Sequence, residues 1–215
     1  MGANLFPSPA LFAAFVVASV LLALTPGPDM ALYLSRTFGG GRPHGLAALG
    51  GAMSGVIVHT FAAALGLSAL IAASARAYDA VKIVGALYLV YLAWGALKRG
   101  AALKLEAGGG ATGTLRGAYM SGLLINLANP KIILFFVTFL PQFLDVGDPD
   151  PSRKLFVLGL SFIVIGGLVS AAIIAVAGRF VAAAKANPRA LRWFDYGFAG
   201  LMSAFAARLI LGAAR

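Results

Sequence analysis

Long apolar runs separated by short polar stretches make up most of the chain. The first of them, from Pro7 to Leu24, contains no charged residue, and five further runs of similar character follow. Runs of about 18 or more apolar residues with few charges are typical of membrane-spanning helices. The pattern predicts six transmembrane helices, at about residues 9–35, 44–73, 80–98, 117–140, 154–178 and 193–212, of which the third and sixth are only just long enough.

Two of the apolar runs are interrupted by residues that break helices. The first run contains TPGPD at 25–29 and the fourth contains NLANPK at 126–131. Aligning Pro28 on Pro130 brings LLALTPGPDMAL opposite LLINLANPKIIL, two segments of similar character. Interrupted helices at matching positions in two halves of a membrane protein indicate the binding site of a transporter.

The matching breaks predict two three-helix repeats in one transmembrane domain, residues 1–215. Repeat one covers about 9–100 and repeat two about 115–213, with a linker at about 101–114 that contains three consecutive glycines. Because each repeat crosses the membrane an odd number of times, the second copy is expected to be inverted. The predicted fold class is therefore all-α integral membrane, with about six transmembrane helices as two inverted repeats and broken first and fourth helices.

Composition supports the membrane interpretation and changes the meaning of the positive charge. The chain is 60% hydrophobic, against about 45–50% in soluble domains, and only 11% charged. A net charge of +10 in a soluble protein favours nucleic acid as a partner. Here the basic residues lie between the apolar runs, where they contact anionic lipid head groups, so the predicted partner is the bilayer and no nucleic acid.

The distribution of Lys and Arg predicts the orientation. The loops after the first, third and fifth predicted helices hold ten basic residues: Arg36, Arg42, Lys98, Arg99, Lys104, Arg116, Arg179, Lys185, Arg189 and Arg192. The opposite side holds six: Arg76, Lys82, Arg153, Lys154, Arg208 and Arg215. Under the positive-inside rule, both termini lie outside. Since the first basic residue is Arg36, the first apolar run is expected to remain as a helix rather than to serve as a cleaved signal.

The first break offers a site for a carboxylate. Pro26 and Pro28 remove two backbone donors, and Gly27 between them loosens the chain. Backbone freed at membrane depth must be satisfied by protein or by cavity water, and the half-helix that follows presents free N–H groups. A simple proline kink is the alternative. Asp29, just after the break, either stabilises the helix dipole or binds a substrate ammonium or a proton.

The second break places a cation where the helix dipole disfavours it. Lys131 follows Pro130 directly and therefore needs an anion, for which Asp29 and a substrate carboxylate are the candidates; snorkelling to the interface is the alternative. Asn126 and Asn129 lie three residues apart on one helix face. Their amides both donate and accept, which suits a zwitterion, and interhelical hydrogen bonding is the alternative.

His59 lies inside the second predicted helix, where it acts either in packing or, with Asp29, as a proton relay. The same helix carries Gly45, Gly50, Gly51 and Gly55, which favour close helix packing and are compatible with a homodimer.

The sequence lacks the residues that several classes of chemistry require. There is no Cys, which excludes thiol redox chemistry and thiolate metal sites. No phosphate-binding loop of ATPases and no H-E-x-x-H motif is present, and no serine–histidine arrangement stands out. We therefore expect no enzyme, no cofactor and no bound metal, and an ion or substrate gradient as the energy source. An ion or metal-ion permease of the same architecture is the alternative, although one embedded acid and one His make a thin ligand set.

The TPGP and NPK blocks, about a hundred residues apart, and the segment GLLINLANPKIILFFVTFLPQF from Gly122 to Phe143 resemble the lysine exporter family, particularly its homoserine/threonine efflux branch. The resemblance covers nearly the whole chain. It implies a secondary exporter of amino acids in the inner (cytoplasmic) membrane, driven by the proton gradient and without a cofactor. The residues that match the family's motif positions are Pro26, Gly27, Pro28, Asp29, Asn126, Asn129, Pro130 and Lys131.

Overall fold

A computed structural model describes residues 6–67, 75–99, 113–144 and 150–213, and within these ranges the chain forms helices and no strand. The helices of the first half are α1 (Pro9–Leu24), α2 (Pro28–Gly40), α3 (Arg42–Phe61, continued by a π-helical turn at Ala62–Leu67) and α4 (Ala75–Arg99). Those of the second half are α5 (Leu115–Leu127), α6 (Pro130–Leu134, continued by a π turn at Phe135–Phe139 and a 3₁₀ turn at Leu140–Phe143), α7 (Pro151–Ala175), α8 (Ala177–Ala186) and α9 (Pro188–Ala213). The all-α prediction is confirmed.

Both predicted breaks are present. The chain bends by 53° between α1 and α2 and by 49° between α5 and the segment that begins at Pro130. Each second half-helix begins at a proline, Pro28 or Pro130, because the first turn of a helix needs no N–H donor at that position. The two breaks therefore follow directly from the placement of proline in the sequence.

The number of crossings is only partly established. Among the described residues, α3 with its π turn and α7 are long and apolar enough to span a membrane, and each bent pair adds one more span. The third and sixth predicted segments fall on α4 and α9, whose apolar stretches, Ile83–Gly95 and Tyr196–Ala207, are shorter. Four spans are thus supported by length and composition, while the count of six stays a prediction.

Helices of the first half of the chain pack against helices of the second half. Helix α3 of the first half packs along α5 of the second, α1 packs against α7, and α4 packs against α9. The α3–α5 contact is close because Gly51 and Gly122 lie in it: a Cβ on Gly51 would overlap the backbone of Tyr119, and one on Gly122 would overlap that of Ala48. The arrangement is compatible with two repeats, and the repeat boundaries stay a prediction. The linker predicted at about 101–114 lies outside the described residues up to 112.

Contacts between loops show which of them share a face. The His44 imidazole, at the start of α3, is 2.8 Å from the carbonyl oxygen of Gly113, just before α5. At the other end of α3, Ser152 Oγ in the first turn of α7 donates to the carbonyl of Ala64 at 2.7 Å. The α2–α3 connection and the start of α5 therefore lie on one face, and the start of α7 on the other, as the predicted topology requires.

Candidate functional site

A buried cavity lies where the two breaks meet. It is lined by Asp29 after the first break, by Asn126 and Lys131 on either side of the second, and by residues of α1, α3 and α7. Its volume is about 30 Å³, which is room for about two water molecules and not for an amino acid. The charged residues of both breaks therefore surround one small space, which has to widen before it can hold an amino acid.

Asp29 is a buried acid with one oxygen satisfied and one free. It lies in the first turn of α2 and is only 7% exposed. Its Oδ2 accepts a hydrogen bond of 2.9 Å from Nδ2 of Asn126, which is fully buried. Its Oδ1, also buried, has no hydrogen-bond partner. Because leaving a buried charged oxygen unpaired is costly, this atom is a candidate for binding a cation.

Lys131 reaches across the cavity to the end of α1. Its Nζ donates to the backbone carbonyls of Thr25 at 3.0 Å and Leu22 at 3.3 Å. In a continuous helix the N–H of residue 26 would bond the Leu22 carbonyl, but Pro26 has none. A Cβ on Gly27 would lie 3.1 Å from the Lys131 Nζ, so glycine leaves room for the ammonium. The first break thus makes a binding site for a cation, and Lys131 occupies it.

The direct Asp29–Lys131 ion pair considered from the sequence is not formed here. Both side chains line the cavity, but Asp29 accepts from the Asn126 amide while the Lys131 ammonium binds the α1 carbonyls. The carbonyls at the C-terminal end of α1 carry the negative end of the helix dipole and therefore attract the ammonium, although the Leu22 carbonyl also accepts from the backbone N–H of Thr25 at 3.3 Å. The ammonium and the carboxylate therefore remain separate groups on the cavity wall.

The second break repeats this pattern with a different side chain. Pro130 has no N–H to bond the Asn126 carbonyl, which accepts instead from the backbone N–H of Asn129 at 3.0 Å, and His59 Nε2 approaches the same oxygen at 3.3 Å. Because a carbonyl only accepts, a hydrogen bond here requires the His59 tautomer with its proton on Nε2. The ring also lies 5.9 Å from that of Phe136. His59 thus contacts Asn126 and does not line the cavity.

The two asparagines differ in role. Asn129 is 1% exposed and caps α6, since its Oδ1 accepts from the backbone N–H of Lys131 at 3.0 Å. Its Nδ2 and the Oδ1 of Asn126 are buried without a partner. Together with Oδ1 of Asp29, the Oδ1 of Asn126 gives the cavity two free acceptors, which suit the ammonium of a zwitterion, whereas Asn129 does not line the cavity.

Other lining residues were not identified from the sequence. The apolar part of the wall is formed by Met30, Tyr33, Met53, Val56, Ile132 and Phe162, and Ser170 adds a hydroxyl. Tyr33 follows Asp29 by four residues and so lies on the same face of α2, a signal that the sequence contains. Met53 and Ser170 belong to helices that reach the site only through the tertiary packing.

Within the described parts of the chain, no group of three or more His, Cys, Asp or Glu residues lies close enough to hold a metal ion.

Comparison with known proteins gives a family match over almost the whole chain. The family model described as LysE type translocator matches residues 20–213. A leucine efflux protein of Enterobacter sp. (strain 638) is 31% identical over 92% of this chain and 94% of its own length. The leucine efflux protein of Klebsiella pneumoniae is 30% identical, covering 91% and 92%, and a membrane protein of Vibrio cholerae is 31% identical, covering 87% and 92%. No solved structure matches the chain significantly.

Proposed function

The chain belongs to the LysE type translocator family, so it is a membrane transporter and not an enzyme, and on this premise we propose that it exports a neutral, apolar amino acid such as leucine. The observation that carries the proposal is the cavity between the two broken helices, where an unpaired carboxylate oxygen and a lysine ammonium face one space. Such a pair of opposite charges matches the two charges of an amino acid.

The substrate class follows from the uncharged part of the cavity wall. Met30, Val56, Ile132 and Phe162 present apolar side chains of the size that packs against a branched aliphatic group. The relatives that are named for leucine efflux agree with this choice. A substrate with a basic or acidic side chain would lose the hydration of that charge on binding and would find no partner of opposite charge on the apolar wall, which is costly.

Each charged end of the substrate has its own partners in this proposal. The ammonium binds the free Oδ1 atoms of Asp29 and Asn126. The carboxylate binds the Lys131 ammonium and the N-terminus of α2, which has Gly27 as its N-cap and therefore no capping side chain. The cavity must widen to admit the substrate, as alternating access of two repeats around a central site requires.

The proton gradient is the proposed energy source, with the cytoplasmic (inner) membrane as the location. Asp29 is the group that binds either the substrate ammonium or a proton, and His59 contacts the backbone carbonyl of Asn126, whose side chain donates to Asp29. Protonation of Asp29 removes the charge that holds the substrate ammonium, so proton entry from outside and amino-acid release are linked. The membrane potential adds about 2.3 kcal/mol per charge per 100 mV.

An efflux assay with Asp29→Asn tests the proposal. Exporter-deficient bacterial cells are loaded with a leucine-containing dipeptide, and external leucine is followed over time. We expect wild-type protein to accelerate efflux and Asp29→Asn to reduce the acceleration at least tenfold, since the amide cannot attract the ammonium or exchange a proton.

The matched control is Asp150→Asn. Asp150 caps α7 through the backbone N–H of Arg153, a role that Asn fills equally well, so efflux should stay within twofold of wild type. Wild-type protein that reaches the membrane and releases no amino acid would contradict the proposed function. Equal efflux by wild type and Asp29→Asn would leave an exporter whose mechanism does not use Asp29.

A further inference from the structure

A second, larger cavity lies one helical turn from the central one. It has a volume of about 410 Å³, within the range of about 300–1,000 Å³ that small-molecule sites occupy. Its walls are Thr37 and Phe38 of α2, Arg42 at the start of α3, and the α7–α8 bend at 174–179. On α2, Tyr33 of the central cavity is followed four residues later by Thr37, and on α7, Ser170 is followed by Ile174.

Tyr33 lines the central cavity and Ile174 lines the second one. Tyr33 and Ile174, 4% and 1% exposed, belong to one buried cluster. They meet at Gly45 of α3, where a Cβ would lie 3.2 Å from both the Ile174 side chain and the Tyr33 carbonyl. A substrate that passes from the second cavity to the central one must therefore displace these two residues or the helices that carry them.

The second cavity is built for an anion. Arg42 and Arg179 both line it and are exposed, and neither makes a hydrogen bond or ion pair within the described parts of the chain. No side chain caps the N-terminus of α8, which also faces this space. The guanidinium group binds carboxylates through two parallel hydrogen bonds, so two of them at the mouth of a cavity favour this ligand.

We propose that this cavity is a loading site, which binds the carboxylate of the amino acid before the substrate passes Tyr33 and Ile174 into the central cavity. The inference rests on the proposed function, because the ligand is its substrate. It also agrees with the predicted topology, in which the loops that carry Arg42 and Arg179 face the cytoplasm, where an exporter collects its substrate.

Transport kinetics in vesicles test the loading site. Radiolabelled leucine is supplied at the face that carries the second cavity, and initial rates are measured against concentration for wild type and Arg42→Gln/Arg179→Gln. We expect the double variant to raise KM at least fivefold while the maximal rate stays within twofold, since the central site is intact. Arg42→Lys/Arg179→Lys, which keeps the charge and loses the planar geometry, should lie between them.

The control removes the same charge elsewhere on the same predicted face. Arg116 and Arg189 are exposed and do not line the second cavity, so Arg116→Gln/Arg189→Gln should leave both constants within twofold. Leucinol, which has the amine and no carboxylate, should inhibit wild type and Arg42→Gln/Arg179→Gln equally. A leucinol effect that depends on the two arginines would overturn the assignment to the carboxylate.

Three results separate the failures. Equal KM values for Arg42→Gln/Arg179→Gln and for the control Arg116→Gln/Arg189→Gln would overturn the loading site and leave the proposed function standing. A KM difference that vanishes in vesicles without phosphatidylglycerol would show that the cavity holds a lipid phosphate, which also overturns it. If wild-type protein showed no leucine transport in the flux assay and no binding of labelled leucine in equilibrium dialysis, both proposals would be overturned together.

Discussion

Asn126 connects the buried charge of the first break to the second break. It is fully buried, its amide donates to Asp29, and its backbone carbonyl binds His59. Hydrogen bonds to charged groups contribute about 1.5–3 kcal/mol, because the buried charge would otherwise lack a partner. The side chain is therefore expected to matter for stability as well as for transport.

Asn126→Ala should lower the free energy of unfolding by about 1.5–3 kcal/mol, since it leaves the Asp29 carboxylate without a donor. Unfolding in detergent with increasing denaturant measures the change. Ser161→Ala, which removes only a hydroxyl bonded to its own helix, should stay within about 0.5 kcal/mol.

A double variant shows whether the carboxylate is the cause. In Asp29→Ala/Asn126→Ala no buried carboxylate remains, so most of the stability lost in Asn126→Ala should return while export stays reduced at least tenfold. If the double variant were as unstable as the sum of both single variants, Asn126 would act through packing and not through Asp29.

At the residue scale the sequence predicts identities better than contacts. The helix breaks at Pro26 and Pro130 can be predicted because proline has no N–H, and the need of Lys131 for a negative partner can be predicted as well. That this partner is a pair of backbone carbonyls depends on how closely α6 approaches α1, which is a property of the packed molecule. The same holds for Ser170, which no local pattern marks.

The contact of α3 with α5 decides whether the site can form, because α3 carries Met53 and Val56 of the cavity wall and α5 carries Asn126. Gly51 and Gly122 allow the two backbones to approach, and any Cβ there would overlap backbone atoms of the facing helix, which cannot move aside as a flexible side chain can. Gly51, one of the glycines that the sequence assigned to close packing, therefore acts within the chain, Gly122 was not identified from the sequence, and the homodimer stays a prediction.

Gly122→Ala should destabilise the protein by about 1–3 kcal/mol, the usual cost of overpacking a close interface. The melting temperature in detergent and the yield of folded protein measure it. Gly95→Ala is the matched control: it lies within α4, a Cβ there would meet nothing within 4 Å, and alanine favours the helix. A Gly122→Ala protein as stable as Gly95→Ala would show that α3 and α5 are not closely packed.

At the scale of elements, helix boundaries set by proline are predicted closely and the others less so. The first helix ends at Leu24 and resumes at Pro28, as the break indicates. The sixth predicted segment begins at 193, whereas α9 begins at Pro188, because the polar residues between them do not stop a helix. Hydropathy marks the apolar part of a helix, and the helix itself extends beyond it.

The sidedness of the whole molecule gives the last prediction. His44 and Gly113 join the loops after the first and third predicted helices on one face, and Arg42 and Arg179 share a cavity on it. These are the loops that hold the excess of basic residues, so the positive-inside rule places this face in the cytoplasm and Ser8, before α1, outside. An exporter with its loading site on this face requires the same orientation.

The absence of cysteine from the sequence makes the test clean, because each introduced thiol is the only one. Ser8 and Asn187 are both exposed, Ser8 just before α1 and Asn187 between α8 and α9, on the two faces that the predicted topology assigns to opposite sides of the membrane. In intact cells, a membrane-impermeant maleimide should label Ser8→Cys and should label Asn187→Cys only after the membrane is opened. Labelling of Asn187→Cys alone in intact cells would invert the orientation. The second cavity would then face outside, where an exporter releases its substrate, and the arginines would belong to the exit of the transport path.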